Sequence, residues 1–562
     1  MRLRHRRSSR IVGLLSSASL SLLWGSAQGA IDSPPWQPPA APSPSASRSP
    51  DIKVLEPAAS RALPGASAEP QLSVIQFRIE GNTLLDNATL QALIADAQGR
   101  SLSLDQLHAI AERITAFYRQ QGHVYTRAIV PAQVINNGIV TILVIEARYG
   151  RVQIDNRSAV PDQLLRDLSA ELQPERPVLQ RRMDRALLLM SDLPGVVVRG
   201  TLSPGEKVGR ATLAIQTDAG PRWGANVTAD NFGSPLTGRY RVGGDLVWNN
   251  PLGSGDQAQF GALSAGSGLN HARLAYERPL GGWGTRVNLG QTVLRYGLDG
   301  LLTHLGASGT ISTTGLSLNQ PVVRGVESNL QLRVLVESTQ LRERIVAADL
   351  NNDRAVQAAT LSLSGDLRSS TDALRMGTWQ VAWAHGHLRL KDSLSQSSDA
   401  TTAQTQGSFD KWSVVLTQQW RLGQAGSVYG AASGQWASKN LDTSQKLSFG
   451  GPNSIRAFDA GVASGDSGVQ FTLEYRHRWL LKPDLPVQGV LFWDAGRVIQ
   501  NRSPWSDTAN RFTLQGGGVG VVWANGQGSQ LRTMLATPMG KVPSQVGARS
   551  STKFWVDVVQ SF

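Results

Sequence analysis

Two histidines separated by one glycine are the residues of this chain best placed to bind a metal ion. His385-Gly-His387 would put both imidazoles on one face of an extended strand, because strand side chains alternate with period two. A zinc site needs at least a third protein ligand, and the sequence places none nearby. We therefore interpret the pair as part of a polar face turned to the lumen of a barrel, and no metal site is predicted.

Two further patterns are typical of enzymes, and neither is complete. Gly516-Gly-Gly-Val-Gly520 resembles a phosphate-binding loop, but no Lys-Ser/Thr pair follows it and strands flank it, so a bend in a curved strand is favoured. Serine and aspartate are frequent, yet nothing marks a nucleophile with a partner histidine and acid. The absence of cysteine excludes disulfides and Cys-based metal sites. The sequence predicts neither an enzyme nor a cofactor.

The charge is concentrated at the start of the chain. Five of the 55 basic residues fall within the first ten positions, and the net charge is +13. The remaining Lys and Arg are scattered, which does not favour nucleic-acid binding. The basic start, an apolar stretch at 11–24 and small residues at 25–30 form the pattern of a secretory signal peptide over 1–30. The chain has no run of about 18 apolar residues that would span a membrane as a helix.

Residues 31–70 form a separate region rich in proline, alanine and serine. This composition predicts an extended, flexible linker without a core of its own. A short apolar patch at 52–63 is compatible with a small helix or a docking segment.

Residues 71–149 and 150–218 repeat one order of elements. In the first unit a strand is followed by two helices and two strands, and the second helix carries apolar residues at helical spacing between 103 and 121. The second unit has the same β-α-α-β-β order. The sequence therefore predicts two α+β domains in tandem.

From residue 219 to residue 562 the pattern changes to long alternating strands. Between 469 and 479 apolar and aromatic side chains occupy one face and polar ones the other. Apolar outside and polar inside is typical of a transmembrane β-barrel, and it is favoured over a soluble β-sandwich because the strands are long. At roughly 20 residues per strand and turn, the length predicts about 16 strands.

The chain ends on an aromatic residue after an amphipathic strand. In residues 554–562, Phe554, Val556, Val558 and Phe562 fall on one face and Gln560 alone breaks that apolar row. This ending is typical of the closing strand of an outer-membrane barrel. Phe562 is predicted to act as the signal for barrel assembly.

Motifs in all three folded regions resemble the two-partner secretion transporters, the family of hemolysin activators and adhesin exporters. In the first α+β domain they are Arg119-Gln-Gln-Gly122, Thr126-Arg127, Val130-Pro-Ala-Gln133 and Gly138. In the second they are Ser191-Asp-Leu-Pro-Gly195, Leu202-Ser-Pro-Gly205 and Gly209. The barrel contributes Asp230-Asn-Phe-Gly-Ser-Pro-Leu-Thr-Gly-Arg239 and Asn250-Pro-Leu-Gly-Ser-Gly-Asp256.

The resemblance implies a fold and a task. The two α+β domains would be POTRA domains in the periplasm of a Gram-negative bacterium, and the barrel a monomeric outer-membrane pore in contact with lipid and inserted by the barrel assembly machinery. The pore would secrete one large partner exoprotein of hemolysin, adhesin or contact-dependent toxin type. The first POTRA domain would bind the N-terminal secretion domain of this partner at Thr126, Arg127, Pro131 and Gln133, by strand addition to a sheet edge.

The resemblance also implies a loop folded into the pore, at about 446–468. Its tip is Gly450-Gly-Pro-Asn-Ser-Ile-Arg-Ala-Phe458, with Arg456 and Phe458, and its docking strand is Phe492-Trp-Asp-Ala-Gly496. By resemblance, Arg456 meets Asp494 in the lumen. A bidentate contact between arginine and carboxylate is directional, and Gly496, on the same strand face as Phe492 and Asp494, leaves room for a second backbone.

Two other functions remain as alternatives. An outer-membrane protein insertion factor of the same superfamily would more usually carry three or more POTRA domains, and a passive porin has no reason to carry any. In family members an N-terminal helix plugs the pore, and residues 31–70 are the segment that would supply such a plug here.

Overall fold

The computed structural model describes residues 51–54, 71–298, 300–368, 375–482, 485–546 and 551–562. The predicted signal peptide lies outside these described residues. The segment that would supply a plug, residues 31–70, also lies outside them, except for its residues 51–54. No helix among them is long and apolar enough to cross a membrane. Two small α+β domains precede a closed β-barrel, as the sequence predicts.

The two α+β domains are built from short strands and amphipathic helices. A 3₁₀ turn, Ala95–Ala97, extends the first helix. The elements, in chain order, are β1 (Asp51–Val54), β2 (Leu72–Val74), β3 (Gln76–Glu80), α1 (Asn87–Ile94), β4 (Arg100–Leu102), α2 (Leu104–Gln120), β5 (Arg127–Ile129), β6 (Ile139–Ile145), β7 (Arg148–Arg157), α3 (Asp162–Leu168), α4 (Gln180–Ser191), β8 (Val196–Pro204) and β9 (Arg210–Ala219).

Capping and helical spacing position the helices of the first domain. Asp86 accepts a hydrogen bond from the Thr89 amide at 2.7 Å and begins α1, and Ser103 begins α2 in a capping box with Gln106. The buried face of α2 includes Ile114 and Tyr118, which pack in one core with the inner faces of β3 and β6. The sheet has the order β3-β6-β5, so β5 is an edge strand.

The second domain repeats this connectivity. Its first strand, β7, pairs in parallel with its last strand, β9, and β8 pairs antiparallel with β9. In the first domain β3 and β6 are parallel, and β5 and β6 are antiparallel. Both cores are formed by one face of the sheet and the apolar faces of the helices. The tandem repeat seen in the element order is therefore a repeat of topology.

Strand β1 lies within the predicted linker and belongs to the second domain. Residues Asp51–Val54 pair in parallel with Arg199–Leu202 and extend the sheet to the order β1-β8-β9-β7. Proline is absent from these four residues, so each can donate to a ladder, whereas Pro50 and Pro57 on either side cannot. The free edge of β8 gives the segment a partner that composition alone does not reveal.

A buried aspartate makes the second domain sensitive to pH. Asp184 on α4 is buried, and burial raises the pKa of its carboxyl from about 3.8 to about 6. The folded domain therefore holds this proton up to a higher pH than the unfolded chain does. The free energy of unfolding should accordingly fall as the pH rises from about 4 to about 6, and the loss should persist above that range.

Asp184→Asn removes this titration. We expect the variant to be about 1 to 2 kcal/mol more stable than the parent at pH 7.5 and equally stable near pH 4, because only the ionised carboxylate is destabilised by burial. Thermal unfolding of residues 51–219, followed by circular dichroism, measures the difference. Asp155→Asn, at an exposed aspartate of the same domain, is the control. Equal stabilisation at both pH values would contradict the assignment.

In the described part of the chain, sixteen strands close the barrel. Between the strands lie one helix, α5 (Ser393–Thr401), and short 3₁₀ turns at Gly300–Leu305, Val346–Ala348, Thr443–Gln445 and Ser544–Val546. The strands are β10 (Trp223–Asp230), β11 (Arg241–Asn249), β12 (Gln257–Ser264), β13 (Leu269–Leu280), β14 (Thr285–Gly297), β15 (Ala307–Arg324), β16 (Ser328–Ile345), β17 (Leu350–Arg368), β18 (Arg375–Leu390), β19 (Gly407–Leu422), β20 (Gly426–Ala437), β23 (Ser467–Lys482), β24 (Leu485–Ile499), β25 (Arg511–Ala524), β26 (Ser529–Pro538) and β27 (Lys553–Ser561); β21 (Leu447–Phe449) and β22 (Ala463–Gly465) form a separate hairpin.

Pairing of the first and last barrel strands closes the sheet. Strand β10 pairs antiparallel with β27, from Asn226 opposite Ser561 to Asp230 opposite Asp557. Neighbouring side chains of β27 alternate, since Phe554 is exposed whereas Trp555 is buried. The predicted 16-stranded barrel is confirmed. The alternation places exposed side chains such as Phe554 on the outer face and buried ones such as Trp555 on the lumen side.

The α+β domains join the barrel at one end, the near rim. There Arg324 at the end of β15 holds Asp192, just after α4, with two bonds of 2.7 Å. Arg286 on β14 donates to the Asp192 carbonyl oxygen and forms an ion pair with Glu277 at 2.7 Å. These charge-assisted bonds fix the second domain against the barrel strands.

One connection at the opposite end, the far rim, turns into the lumen. This inner loop, residues 438–466, runs from β20 to β23 and contains the β21–β22 hairpin. Ile455, Ala457 and Phe458 at its tip are buried in one apolar cluster with barrel residues Phe492, Leu514, Met534, Ala536 and Trp555. The inner loop therefore lies against the wall formed by β24 to β27.

Candidate functional site

A buried ion pair joins the tip of the inner loop to the barrel wall. Arg456 donates from Nε to Asp494 Oδ2 at 2.8 Å and from Nη2 to Asp494 Oδ1 at 2.7 Å, and its backbone amide also reaches Oδ2 at 3.1 Å. Asp494 is fully buried on the lumen face of β24, and Arg456 is almost so. The two parallel bonds fix both the position and the orientation of the guanidinium.

A second carboxylate completes the charge around Arg456. Glu474 on β23 accepts from Arg456 Nη1 at 2.6 Å, and its other oxygen accepts from Arg476 Nε at 2.7 Å. Two arginines thus face two buried acids, so the cluster has no net charge. Burial of charged groups is tolerated when every one of them is paired, as these are.

Aromatic side chains enclose the tip. The guanidinium of Arg456 lies 3.5 Å from the centre of the Phe492 ring, within the range of a cation–π contact. Trp555 on β27 donates from its indole nitrogen to the Arg456 carbonyl oxygen at 2.7 Å. The rings exclude water from the ion pair, which strengthens the electrostatic attraction within it.

Two glycines of the wall leave the space that the tip fills. A Cβ atom on Gly496 would lie 2.5 Å from Ile455 Cδ1, and one on Gly516 would overlap with Ala457 Cβ. Gly516 stands opposite Asp494 in the β24–β25 ladder, beside the ion pair. The glycine-rich stretch after residue 515, predicted as a strand bend, therefore provides a contact surface for the loop.

The shape of the inner loop comes from its own glycines. Among its described residues, the positive φ angles fall on Gly450, Gly451 and Gly461, at 92°, 93° and 67°. Ala457 needs no such angle, so alanine is tolerated at this position. Asp459, just beyond the tip, binds Lys553 Nζ on β27 at 2.8 Å.

Sequence reasoning named Arg456, Phe458, Phe492, Asp494 and Gly496, and the structure brings all five together in this cluster. Glu474, Trp555 and Gly516 were not predicted to belong to this site, and Gly516 was predicted only as part of a strand bend. Glu474 lay on the polar face of the clearest alternating strand, and an acid at that position was the available signal. Nothing in the sequence indicated that Trp555 donates to the loop.

The residues predicted to bind a partner lie on the first domain, far along the chain from this cluster. Thr126 is buried, Arg127 is exposed and Pro131 is half-buried. The Gln133 side chain bonds to the backbone amide and carbonyl of Thr141 on β6, at 2.7 and 2.8 Å. These bonds occupy the edge of β6 in the part that β5 does not cover. On β5 itself the Ala128 amide donates to Thr115 Oγ1 at 3.0 Å. Both contacts tie up backbone groups that an added strand would use.

Other predicted positions have ordinary contacts. Phe562 is 78% exposed, and its amide donates to the Ala225 carbonyl oxygen at 2.8 Å, next to the closing strand pair. His385 Nδ1 lies 3.0 Å from Asp410 Oδ1, and His387 Nδ1 lies 3.1 Å from Ser408 Oγ. The prediction that both histidines face the lumen is wrong, because they lie on the exposed face of β18, opposite to Leu388, which packs with Leu441 of the inner loop. Within the described ranges no group of three or more potential metal ligands occurs.

Comparison with known proteins places this arrangement in a family. Residues 209–522 match the model of the haemolysin secretion/activation protein ShlB/FhaC/HecB, and residues 72–147 match the ShlB-type POTRA domain. The heme/hemopexin transporter protein HuxB of Haemophilus influenzae (strain 86-028NP) is 26% identical over 498 residues, 87% of each chain. The outer membrane transporter CdiB of Dickeya dadantii (strain 3937) is 24% identical over 477 residues, 81% of each chain.

A solved structure has the same fold. CdiB from Escherichia coli superimposes with a TM-score of 0.70 at 20% identity, over 90% of this chain and 93% of that chain. The barrel, the preceding POTRA domain and the family model, which matches more than half of the residues, agree with one another. The chain belongs to the haemolysin secretion/activation protein family, the transporters of two-partner secretion.

Proposed function

We propose that this chain is an outer-membrane pore that recognises one large partner exoprotein and secretes it. The observation that carries the proposal is the inner loop, which lies in the barrel lumen and is held there by a buried ion cluster. A permanent seal could be formed by apolar contacts at a lower cost in free energy, because even a fully paired ion cluster loses the hydration of its charges when it is buried. Charged contacts that can be hydrated after separation suit a loop that has to move.

The type of cargo is proposed by analogy with the relatives. The names of relatives refer to heme/hemopexin transport, to hemolysin transport and to an outer membrane transporter named CdiB. By analogy, the cargo here is a single large exoprotein of hemolysin, adhesin or contact-dependent toxin type. It carries an N-terminal secretion domain and passes through the pore unfolded, with its POTRA-bound end in the periplasm.

The first POTRA domain would capture this secretion domain through exposed side chains of residues 126–134. The backbone groups at Ala128 and Thr141 already bond within the domain. In contrast, Ile129 is 40% exposed and Val134 is 84% exposed. Arg127 and Ile129 are both exposed and share one face of β5, because they lie two residues apart. We infer that this face and Val134 contact an extended segment that is both apolar and acidic.

Val134→Asp should weaken capture by at least roughly tenfold, because it puts a charge where an apolar contact forms and a like charge against an acidic segment. Binding of the partner's secretion domain to residues 51–219 can be measured by calorimetry. Val208→Asp, at an equally exposed valine of the second domain, is the matched control. Equal affinities of the two variants would mean that this surface is not used.

Placement and assembly complete the proposal. The barrel lies as a monomer in the outer membrane of a Gram-negative bacterium, with its outer apolar face against lipid and its POTRA domains in the periplasm. Phe562 would be recognised by the barrel assembly machinery before closure, which its exposure and its position at the end of β27 would allow.

Deletion of the gene tests the function against its alternatives. We expect one large protein to disappear from the culture medium, to return when the chain is supplied from a plasmid, and other outer-membrane proteins to stay at their normal levels. A general fall in barrel proteins would instead indicate an insertion factor. Loss of small-solute uptake with unchanged secretion would indicate a porin.

A further inference from the structure

A second buried ion cluster holds the inner loop at its other side. Arg354 on β17 donates from Nη1 to Glu343 Oε2 on β16 at 2.6 Å, and its Nε lies 2.8 Å from Asp442 Oδ2 of the inner loop. Tyr296 at the end of β14 donates from its hydroxyl to Glu343 Oε1 at 3.0 Å. The side chains of Arg354, Glu343 and Asp442 are 3%, 7% and 10% exposed, so all three charges are removed from water.

The cluster fixes the first turn of the inner loop. Asp442 begins the 3₁₀ turn Thr443–Gln445, where its carboxylate also accepts from the Ser444 amide at 2.9 Å. Leu441, directly before it, packs with Leu341 and Val356 on the same two strands. The start of the loop is thereby attached to β16 and β17.

The two attachments lie on opposite sides of the strand from which the loop leaves. In the barrel order, β17 is three strands from β20 in one direction, and β24, which carries Asp494, is two strands from it in the other. The loop therefore crosses part of the lumen between two anchors. If only the tip of the inner loop were released, the start of the loop would stay attached to β16 and β17.

The charges in this cluster are arranged for release. The contacts of Arg354 include the carboxylate of Glu343 in the wall and, in the inner loop, the carboxylate of Asp442 and the hydroxyl of Thr443. If Asp442 leaves, Arg354 and Glu343 remain a neutral pair with the Tyr296 hydroxyl, so no buried charge in the wall is left unpaired. Asp442 itself moves into the wet lumen, where a carboxylate is well hydrated.

We propose that Arg354, positioned by Glu343 and Tyr296, is a second latch of the inner loop, and that opening of the pore requires Asp442 to separate from it. The link between pore opening and secretion rests on the proposed function. The contact between Arg354 and Asp442, however, is present in the pore without a secreted partner. It can therefore be measured without any secreted partner.

Conductance of the purified full-length protein in planar lipid bilayers tests the latch. Asp442→Asn keeps the shape of the side chain and removes its charge, and we expect the ratio of open to closed time to rise roughly tenfold. Arg354→Met should act in the same direction, and Asp442→Glu should restore most of the closed time. Asp410→Asn, at a half-exposed aspartate whose carboxylate lies 3.0 Å from His385 Nδ1 on the neighbouring strand, is the matched control and should leave conductance unchanged.

Protease accessibility gives a second, structural readout. Lys446, four residues after Asp442, has a side chain that is only 9% exposed and pairs with Asp466 at 3.0 Å. Trypsin added to intact outer membranes should cut after Lys446 in Asp442→Asn and spare the parent and Asp410→Asn. A merely structural role would change barrel yield without producing this specific cut.

The proposal is overturned if Asp442→Asn and Arg354→Met conduct and resist trypsin as Asp410→Asn does. Should either variant fail to form a heat-modifiable barrel, Tyr296→Phe, which removes only the hydroxyl bound to Glu343, takes its place. In that variant a rise in open time supports the latch, and unchanged conductance refutes it. A chain that behaves as expected here but secretes nothing would contradict the proposed function alone.

Discussion

Arg456→Ala and Asp494→Ala are each expected to reduce secretion of the partner exoprotein to less than roughly a tenth of the wild-type amount, while the heat-modifiable barrel stays at its normal level. Each change leaves at least one charge buried without its main partner, which costs about 3 to 5 kcal/mol. The loop tip then leaves its position, although the strands, which carry their own hydrogen bonds, remain paired. Immunoblots of medium and outer membrane measure the two quantities.

The combination of variants separates one shared interaction from two independent ones. The double variant should secrete about as little as either single variant, because both changes break the same contact. Glu474→Gln should have a smaller effect, since Arg456 keeps both bonds to Asp494. Exchange of the charges should not restore secretion, because an aspartate at 456 would face Glu474.

An exposed arginine of the same barrel provides the control. Arg344 lies at the far-rim end of β16 and bonds to Asn351 at 3.1 Å. Arg344→Ala should secrete normally, since water replaces the lost contact. Normal secretion by both Arg456→Ala and Asp494→Ala would show that the ion pair has no role in transport.

The barrel was predictable because its physical cause repeats along the sequence. Each strand alternates with period two, and the closing strand shows it clearly, with Phe554 outside and Trp555 inside. Sixteen strands follow from length and strand spacing alone. The N-termini of the helices that begin after Asp86 and Ser103 also depend on nearby residues only, because each cap residue and its bonding partner lie three residues apart.

Contacts between distant segments were not predictable in this way. Strand β1 forms because β8 offers a free edge, although almost 150 residues separate them, and its own composition reads as linker. Arg354 meets Asp442 across 88 positions of sequence, and Arg456 shares Glu474 with Arg476. Each residue is ordinary in its own segment, and only the closed barrel makes it part of a cluster.

The glycines of β25 show the same limit. A glycine-rich strand predicts close approach or bending without saying which. The structure decides the matter, because the inner loop lies against Gly516 and Ala457 occupies the space where a side chain would be.

Gly516→Ala is therefore expected to reduce secretion as strongly as the loss of the ion pair. The added Cβ would overlap with Ala457 Cβ, whereas two carbon atoms in contact need about 3.5 to 4 Å. The tip has to shift by more than roughly 1 Å, and Arg456 is the next residue along it. Hydrogen bonds weaken steeply with distance and angle, so the bidentate contact with Asp494 is lost.

A second change in the loop should reverse this effect. Ala457→Gly removes the atom that the new methyl group meets, and the nearest remaining atoms, Thr537 O at 3.2 Å and Ala457 Cα at 3.5 Å, are close to ordinary contact. Gly516→Ala combined with Ala457→Gly should secrete substantially more than Gly516→Ala alone. Gly290→Ala, on β14, is the matched control, since its Cβ would meet nothing within 3.5 Å. If Gly516→Ala secretes normally, or if Ala457→Gly gives no rescue while the barrel level is unchanged, the tip does not have to rest against β25 for transport.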